Sequence, residues 1–342
     1  MCNKGITHLL VPTTTAGEAL REPKHSNLPS QCQPSLKSIS GTMISDGRRE
    51  LIGGSEFLSG TAFRWKGKAL GREGEMWQEI SSVRNPRIKA VCKLREREHR
   101  VRTGTTIAEG IKELSRAADA GLRAQAIFLC PRWCPRAVAE EFAERLQVPP
   151  GGRIVVNEVV YRTIAFGDRQ DGLLAVLEVP GRSLKDLPAH QAGLYLVLEG
   201  IEKPGNLGAI FRTADAAGVE GVLLVDTPCD PWNPNAIRAS LGTVFTVPFA
   251  SANAQEAVEW VKNRGLQLVA ADPERGQLLW DLDFRRGTAI VLGAEHSGLS
   301  DLWKRVGSQL ARIPMYGRGD SLNVSVAAAI FLYEAVRQRQ TC

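Results

Sequence analysis

Seven cysteines are scattered through 342 residues without paired spacing, and an odd number cannot all pair within one chain. A reduced, cytoplasmic setting is therefore expected. Cys130 and Cys134 flank Pro-Arg-Trp, but no histidine cluster or second cysteine pair stands near to complete four zinc ligands, so no metal site is predicted. Histidine is scarce as well, with five in all, and His296 has no carboxylate or nucleophile at a diagnostic spacing, so it reads as incidental rather than as a general base. No apolar run approaches the length of a membrane span. Neither G-x-G-x-x-G nor G-x-x-x-x-G-K-[ST] occurs, which removes the dinucleotide fingerprint and the phosphate-binding P-loop from consideration.

What the chain does have is apolar material for a folded interior: 43% of its residues are hydrophobic, and its length accommodates one to three domains. Its formal charge is +6 at pH 7, and the excess is concentrated. Between Ile80 and Arg102 stand Arg84, Arg87, Lys89, Lys93, Arg95, Arg97, Arg100 and Arg102 against Glu96 and Glu98, a net +6 that equals the excess of the whole chain. Such a segment either contacts a polyanion such as nucleic acid or forms a solvated basic helix face.

Residues 1–75 disperse Ser, Thr, Gly and Pro without a sustained apolar pattern and without the charged start and apolar core of a secretory signal. They read as a disordered extension, or as the product of an upstream start assignment ahead of Met76. Residues 76–180 alternate helical patterns at 89–100, 109–120 and 135–146 with strand patterns at 126–129, 153–156 and 173–177, which predicts a small α/β sandwich. Residues 181–192 place Pro, Gly and charge between two apolar strands and read as a linker. In residues 193–342, apolar segments at 194–198, 221–225, 244–248, 266–270, 289–292 and 309–315, with helices between them including one at 206–217, predict a mainly parallel sheet covered on both faces.

Three segments of this second region carry the chemistry. Residues 202–215 contain Asn206 and Arg212, with Gly205 and Gly208 near the same helical face, leaving room for a phosphate or ribose; alternatively Arg212 pairs with Asp215. Residues 291–300 contain Gly293, Ala294 and Glu295. Gly293 permits close backbone approach, and Glu295 either anchors its loop, pairs with Arg212, or caps a following helix. Residues 313–330 run from Ile313, Pro314 and Met315 through Ser321, Leu322 and Asn323 into a small-residue apolar helix, whose first-turn amides either are capped locally or face a bound polar group. Loops around 198–200, 293–295 and 313–315 and at Leu322 either pack strand ends or read a ligand by amide and carbonyl contacts between apolar walls.

Taken in this order, the three segments resemble the three motifs of the SpoU (TrmH-like) RNA 2′-O-ribose methyltransferases, a branch of the SPOUT superfamily, and the resemblance covers residues 77–338. Residues 80–180 are similar to the small ribosomal-protein-like substrate-binding domain that often precedes the catalytic domain. The resemblance implies an α/β SPOUT domain with a C-terminal trefoil knot, S-adenosylmethionine as cofactor, no metal, a homodimer, and an RNA substrate, with ribosomal RNA favoured over transfer RNA. It implies cofactor contacts from Leu198, Gly200, Gly293, Ala294, Glu295, Ile313, Met315, Ser321, Leu322 and Asn323, and a catalytic group of Arg212, Asn206, Glu295, Ser321 and Asn323. Asn206 is also expected to cap its helix. RNA contacts are expected from Arg84, Arg87, Lys89, Lys93, Arg95, Arg97 and Arg212. The family role of Arg212 is proton removal, yet a guanidinium is always protonated, so it either works with a neighbouring RNA phosphate or orients the hydroxyl while phosphate or water takes the proton. The competing readings are a SPOUT base methyltransferase and a noncatalytic RNA-binding or ribosome-assembly protein. The intact motif residues argue against the latter.

Overall fold

The computed structural model describes residues 77–166 and 170–340, so the expectation for residues 1–75 lies outside the described residues. In the first part of the chain, strands β1 (Gln78–Ile80), β2 (Thr105–Glu109), β3 (Ala124–Leu129), β4 (Arg153–Val156) and β5 (Leu173–Glu178) form a sheet of order β1-β4-β3-β5-β2, parallel from β1 to β3 and antiparallel beyond. Helices α1 (Pro86–Lys93), α2 (Arg97–Thr103), α3 (Ile111–Asp119), α4 (Arg136–Arg145) and α5 (Glu158–Ile164) complete it. The period of two in β3 sorts the layers: Ala126 and Phe128 join Ile88, Val91 and Tyr161 on one face, while Ile127 and Leu129 join Leu114, Ala117 and Phe142 on the other.

Where the sequence pattern predicts one helix over 89–100, the chain breaks into α1 and α2. Asn85 starts α1, its Oδ1 accepting from Arg87 N at 2.9 Å ahead of Pro86 at the first helical position. At the other end the Arg95 guanidinium is drawn to the carbonyls of Thr163 and Ala165, and Arg100 Nη1 donates to the Leu94 and Arg95 carbonyls that the break exposes. The α2 helix ends on Gly104 in the left-handed region at φ 61°, which returns the chain into β2.

The second sheet has seven strands, all parallel, in the order β10-β12-β9-β11-β6-β7-β8. They are β6 (Leu194–Glu199), β7 (Gly221–Val225), β8 (Phe249–Ala252), β9 (Gln267–Ala271), β10 (Gln277–Leu278), β11 (Thr288–Leu292) and β12 (Gln309–Arg312). Every residue of β6, β7 and β11 is buried, as a strand covered on both faces requires. One face carries α6 (Pro204–Ala216), α7 (Pro234–Ala239), α8 (Thr243–Thr246) and the last helix, α11 (Val324–Gln340); the other carries α9 (Ala254–Lys262) and α10 (Asp301–Arg305). Residues 244–248, expected in a strand, instead form α8 and its exit, because Gly242 at φ 86° opens a helical turn; the strand follows at Phe249–Ala252.

The two sheets share one continuous hydrophobic cluster, from Ala108 and Leu177 to Phe211, Ile237 and Phe245. Polar bonds cross the same boundary. Arg100 pairs with Asp230 at 2.7 Å, Arg97 donates to the Pro228 carbonyl, Thr106 to that of Trp232, Arg116 to that of Leu241, and Arg238 to that of Phe166. Residues 181–192 pack against the second sheet and its helices: Leu187 is buried, and Arg182 donates to the Phe245 and Val247 carbonyls with its guanidinium over the Phe249 ring.

Candidate active site

A cavity of about 350 Å³ opens at the carboxyl edge of the parallel sheet, where β9, β11 and β12 end side by side. That edge is where open α/β sheets bind ligands. Asp272 closes one side: its backbone N–H donates to the Ala311 carbonyl, and its Oδ1 accepts from Glu274 N and Arg275 N, each at 3.0 Å. The loop after β11 folds back on itself through an Ala294–Gly298 bridge, and a Cβ on Gly293 would fall on the Gly298 carbonyl. Glycine is therefore required at 293 by close approach of backbone. Val324, Ala327 and Phe331, at helical spacing on α11, supply the apolar floor.

At the mouth of the cavity the polar motif residues meet. Asn323 caps α11, its Oδ1 accepting from Ser325 N at 2.9 Å and Ser325 Oγ at 2.6 Å, while its Nδ2 donates to Asn206 Oδ1 at 3.2 Å. Asn206 Nδ2 is buried without a partner among the described residues. Lys203 caps α6 in the backbone sense, so Asn206 lies within the first turn of that helix and is not its N-cap. The Lys203 ammonium contacts Glu295 Oε2 at 2.5 Å, and that hydrogen bond and charge hold its pKa above the ordinary lysine value. Glu295 Oε1 is buried and has no partner among the described residues.

Of the ten positions expected to contact a cofactor, eight line this cavity: Gly293, Ala294, Glu295, Ile313, Met315, Ser321, Leu322 and Asn323. Leu198 and Gly200 do not. Leu198 is fully buried in the core, and Gly200, at φ 68°, packs behind the loop with its missing Cβ 3.2 Å from Ala294 Cβ. Arg212 is exposed and lies elsewhere, in an open notch with Asn235 and Arg238; it forms no ion pair with Asp215. Gly208 leaves no room for a phosphate or ribose, because a Cβ there would meet the Ala236 carbonyl at 2.5 Å: the glycine lets α7 pack against α6. The helix that follows the second motif is held by a residue the sequence reading passed over. Glu199 accepts from Ser300 N at 2.8 Å and Ser300 Oγ at 2.7 Å.

The basic segment is divided by the fold. Arg87 donates to Gln78 and the Gly151 carbonyl, Arg95 to Thr163 and Ala165, Arg97 to Pro228, and Arg100 is 3% exposed beside Asp230. Arg84, Lys89 and Lys93 are exposed and have no side-chain partner among the described residues. Among those residues, too, no group of three or more His, Cys, Asp or Glu is placed to hold a metal ion, and no helix is long and apolar enough to cross a membrane.

Comparison with known proteins bears on this site directly. The family model of the SpoU rRNA methylases matches residues 193–333, and that of the MRM3-like substrate binding domain matches residues 85–175. An uncharacterized tRNA/rRNA methyltransferase of Synechocystis sp. is 33% identical over 267 residues, covering 76% of this chain and 94% of that protein. The chain belongs to the SpoU rRNA methylase family. A 23S rRNA (guanosine-2′-O-)-methyltransferase of Bordetella pertussis is 41% identical over 185 residues, or 52% of this chain and 74% of its relative. The AdoMet-bound rRNA methyltransferase of Sinorhizobium meliloti superposes with a TM-score of 0.69 at 33% identity, covering 76% of this chain and 97% of that one. The cavity also takes in Lys203 of the first motif and, beyond the motifs, Asp272 and Phe331. Phe331 was accessible to periodicity, standing seven residues after Val324 on the same helical face. Asp272 carried no such signal, since a single Asp-Pro turn is common in any loop.

Proposed function

We propose that this SpoU-family chain transfers a methyl group from S-adenosylmethionine to a ribose 2′-hydroxyl of ribosomal RNA, acting as a homodimer in the cytoplasm. The observation that carries the reading is the cavity at the carboxyl edge, on which the second and third family motifs converge and whose mouth the first motif reaches through Asn206. Its chemistry suits the cofactor: an apolar floor and close-packed glycine backbone for a flat heterocycle, with an unpartnered Glu295 oxygen and the Asn323 amide for polar groups. When bound, S-adenosylmethionine supplies a methyl already activated by its sulfonium, so the protein has only to align the hydroxyl and assist its proton loss.

The residues divide this work by position. Asn323, fixed by its cap and by Asn206, and the exposed Ser321 beside it orient the ribose hydroxyl. Glu295 neutralises Lys203 and keeps the loop after β11 against the cavity mouth. Arg212 stands six residues beyond Asn206, which displaces it roughly 9 Å along the helix and turns it roughly 240° around the axis. It serves a site built with a second copy of the chain, where its guanidinium orients the hydroxyl and leaves the proton to phosphate or water. The surface for that second copy is the stripe of Val326 and Tyr333, 46% and 49% exposed on α11, continued by Met315 and Tyr316 at the cavity mouth. Arg84, Lys89 and Lys93 are the part of the basic segment left to meet RNA phosphates.

The test is methyl transfer from labelled S-adenosylmethionine to ribosomal RNA from a strain lacking the gene, followed by nuclease digestion and mass spectrometry of the nucleosides. A 2′-O-methylnucleoside is expected. A base-methylated nucleoside, or no transfer to any ribosomal RNA or subunit, overturns the reading.

A further inference from the structure

Outside the cofactor cavity, the ends of α6 and α7 enclose an open notch of about 400 Å³ lined by Arg212, Asn235, Arg238, Ala239 and Leu241. Two guanidiniums and a carboxamide face it, and no carboxylate is among its lining residues. The Glu109 carboxyl lies near Arg238 outside the notch, but neither guanidinium forms an ion pair among the described residues, and two cations sharing one notch attract an anion. The Arg238 guanidinium is also held in place, because its Nη1 donates to the Phe166 carbonyl at 2.7 Å across the junction between the two sheets. A guanidinium fixed by one nitrogen keeps the rest of its fork free for a tetrahedral oxyanion. Arg212 has no side-chain partner among the described residues, and Asn235 is exposed.

We infer that Arg238 and Asn235, together with Arg212, form a binding notch for a single phosphodiester of the substrate RNA, next to the nucleotide being methylated. The inference rests on the proposed methyltransferase reading and adds to it a positioning site outside the family motifs. Arg212 gives the notch its place in the reaction, since the same side chain orients the hydroxyl: a phosphate seated between Arg212 and Arg238 fixes both the register of the RNA and the direction of that guanidinium. The Phe166 carbonyl ties this register to the smaller sheet, so the part of the chain carrying Lys89 and Lys93 and the part carrying the motifs grip one RNA as a rigid pair.

The experiment compares the full chain with its Asn235→Ala, Arg238→Lys and Arg238→Gln variants, using an RNA oligonucleotide that the wild-type protein methylates. For Asn235→Ala and Arg238→Gln, KM for RNA should rise roughly tenfold, the loss of one or two charge-assisted bonds, while turnover at saturating RNA and calorimetric affinity for S-adenosylmethionine stay within about twofold. Arg238→Gln should also flatten the plot of log affinity against log salt by about 0.7, the slope for one contact to a single-stranded phosphate. Arg238→Lys, which keeps the charge and one donor, should retain that slope. Unchanged KM and slope in Asn235→Ala and Arg238→Gln overturn the notch while leaving the methyltransferase reading intact. A loss confined to Arg238→Gln with a lowered melting temperature, and absent from the other two variants, assigns Arg238 to the junction alone and also overturns it. Millimolar inorganic phosphate should compete only weakly; tight binding of phosphate without RNA would make this a free-anion site and overturn the assignment to a phosphodiester. An oligonucleotide that the wild-type protein does not methylate at all indicts the functional reading rather than the notch.

Discussion

Asn323 Nδ2 donates to Asn206 Oδ1 at 3.2 Å, joining the start of the last helix to the first turn of α6 across 117 residues of sequence. Because Asn323 Oδ1 already accepts from Ser325, the amide has one orientation, with its donor toward Asn206. Asn323→Ala should therefore lower stability by about 1 kcal/mol through the lost cap, and should abolish methyl transfer. Asn323→Asp keeps the cap and turns an oxygen toward Asn206, so it should retain most of the stability and lose the activity. Ser321→Ala should leave the melting temperature unchanged, because Ser321 makes no side-chain hydrogen bond among the described residues. Thermal melts and single-turnover rates on the three variants check the set.

The glycines of the second motif should respond differently. At 293 any Cβ falls on the Gly298 carbonyl, so Gly293→Ala should force the loop open and weaken S-adenosylmethionine binding more than tenfold, about 1.4 kcal/mol. At 298 there is open space but a φ of 65°, so Gly298→Ala should cost about 1–2 kcal/mol of backbone strain and leave affinity less affected. Calorimetric titration separates the two, and equal affinities in both variants would mean that the loop does not shape the cavity.

If Arg212 serves the cavity of a second copy, inactive Arg212→Ala and inactive Asn323→Ala chains should rescue each other. A mixed dimer carries one cavity with both residues intact, so statistical mixing should restore about a quarter of wild-type activity. The assay is methyl transfer after co-refolding equal amounts. Absence of rescue in mixtures shown to exchange subunits places Arg212 in the cavity of its own chain.

Glu109 is half-buried and accepts from Tyr161 Oη at 3.1 Å and Phe166 N at 2.7 Å. Burial outweighs these bonds and raises its pKa above the ordinary 4.5. The folded protein then holds this proton more tightly than the unfolded chain does. The stability it contributes is present in full below 4.5 and is lost as pH rises through the folded value. Glu109→Gln, neutral throughout, should flatten that part of the pH profile of unfolding free energy. Parallel profiles for the variant and the wild-type chain would show that the carboxyl does not titrate in this window.

The seven-stranded sheet was largely legible because its central strands are nearly continuous apolar runs, a signal that survives without alternation: β7 matches its predicted 221–225. The short and edge elements were not. Gln78–Ile80, Thr105–Glu109 and Glu158–Ile164 are brief and of mixed polarity, and the neighbours that stabilise them lie far off in sequence. Within the site, Gly293 and Asn323 were legible because close approach and capping are local demands. Leu198 was misplaced because the same apolar residue suits a pocket wall and a core, and only the packing of helices over β6 decides between them. The distance of Arg212 from the cavity depends on helix phase against the rest of the fold, which no local pattern encodes.

Apart from the Arg100–Asp230 pair, the polar bonds described across the junction between the two sheets have the same kind of acceptor, with a consequence for how the chain tolerates change. Arg97, Thr106, Arg116 and Arg238 all end on backbone carbonyls, at Pro228, Trp232, Leu241 and Phe166. A carbonyl is present whatever side chain the residue bears. The donors are therefore the constrained half of each contact, while the receiving positions are free to drift so long as the backbone keeps its path. Within the family, the polar grip between the two layers should accordingly survive wide divergence in the loops that receive it, whereas the Arg100–Asp230 pair needs both partners to change together.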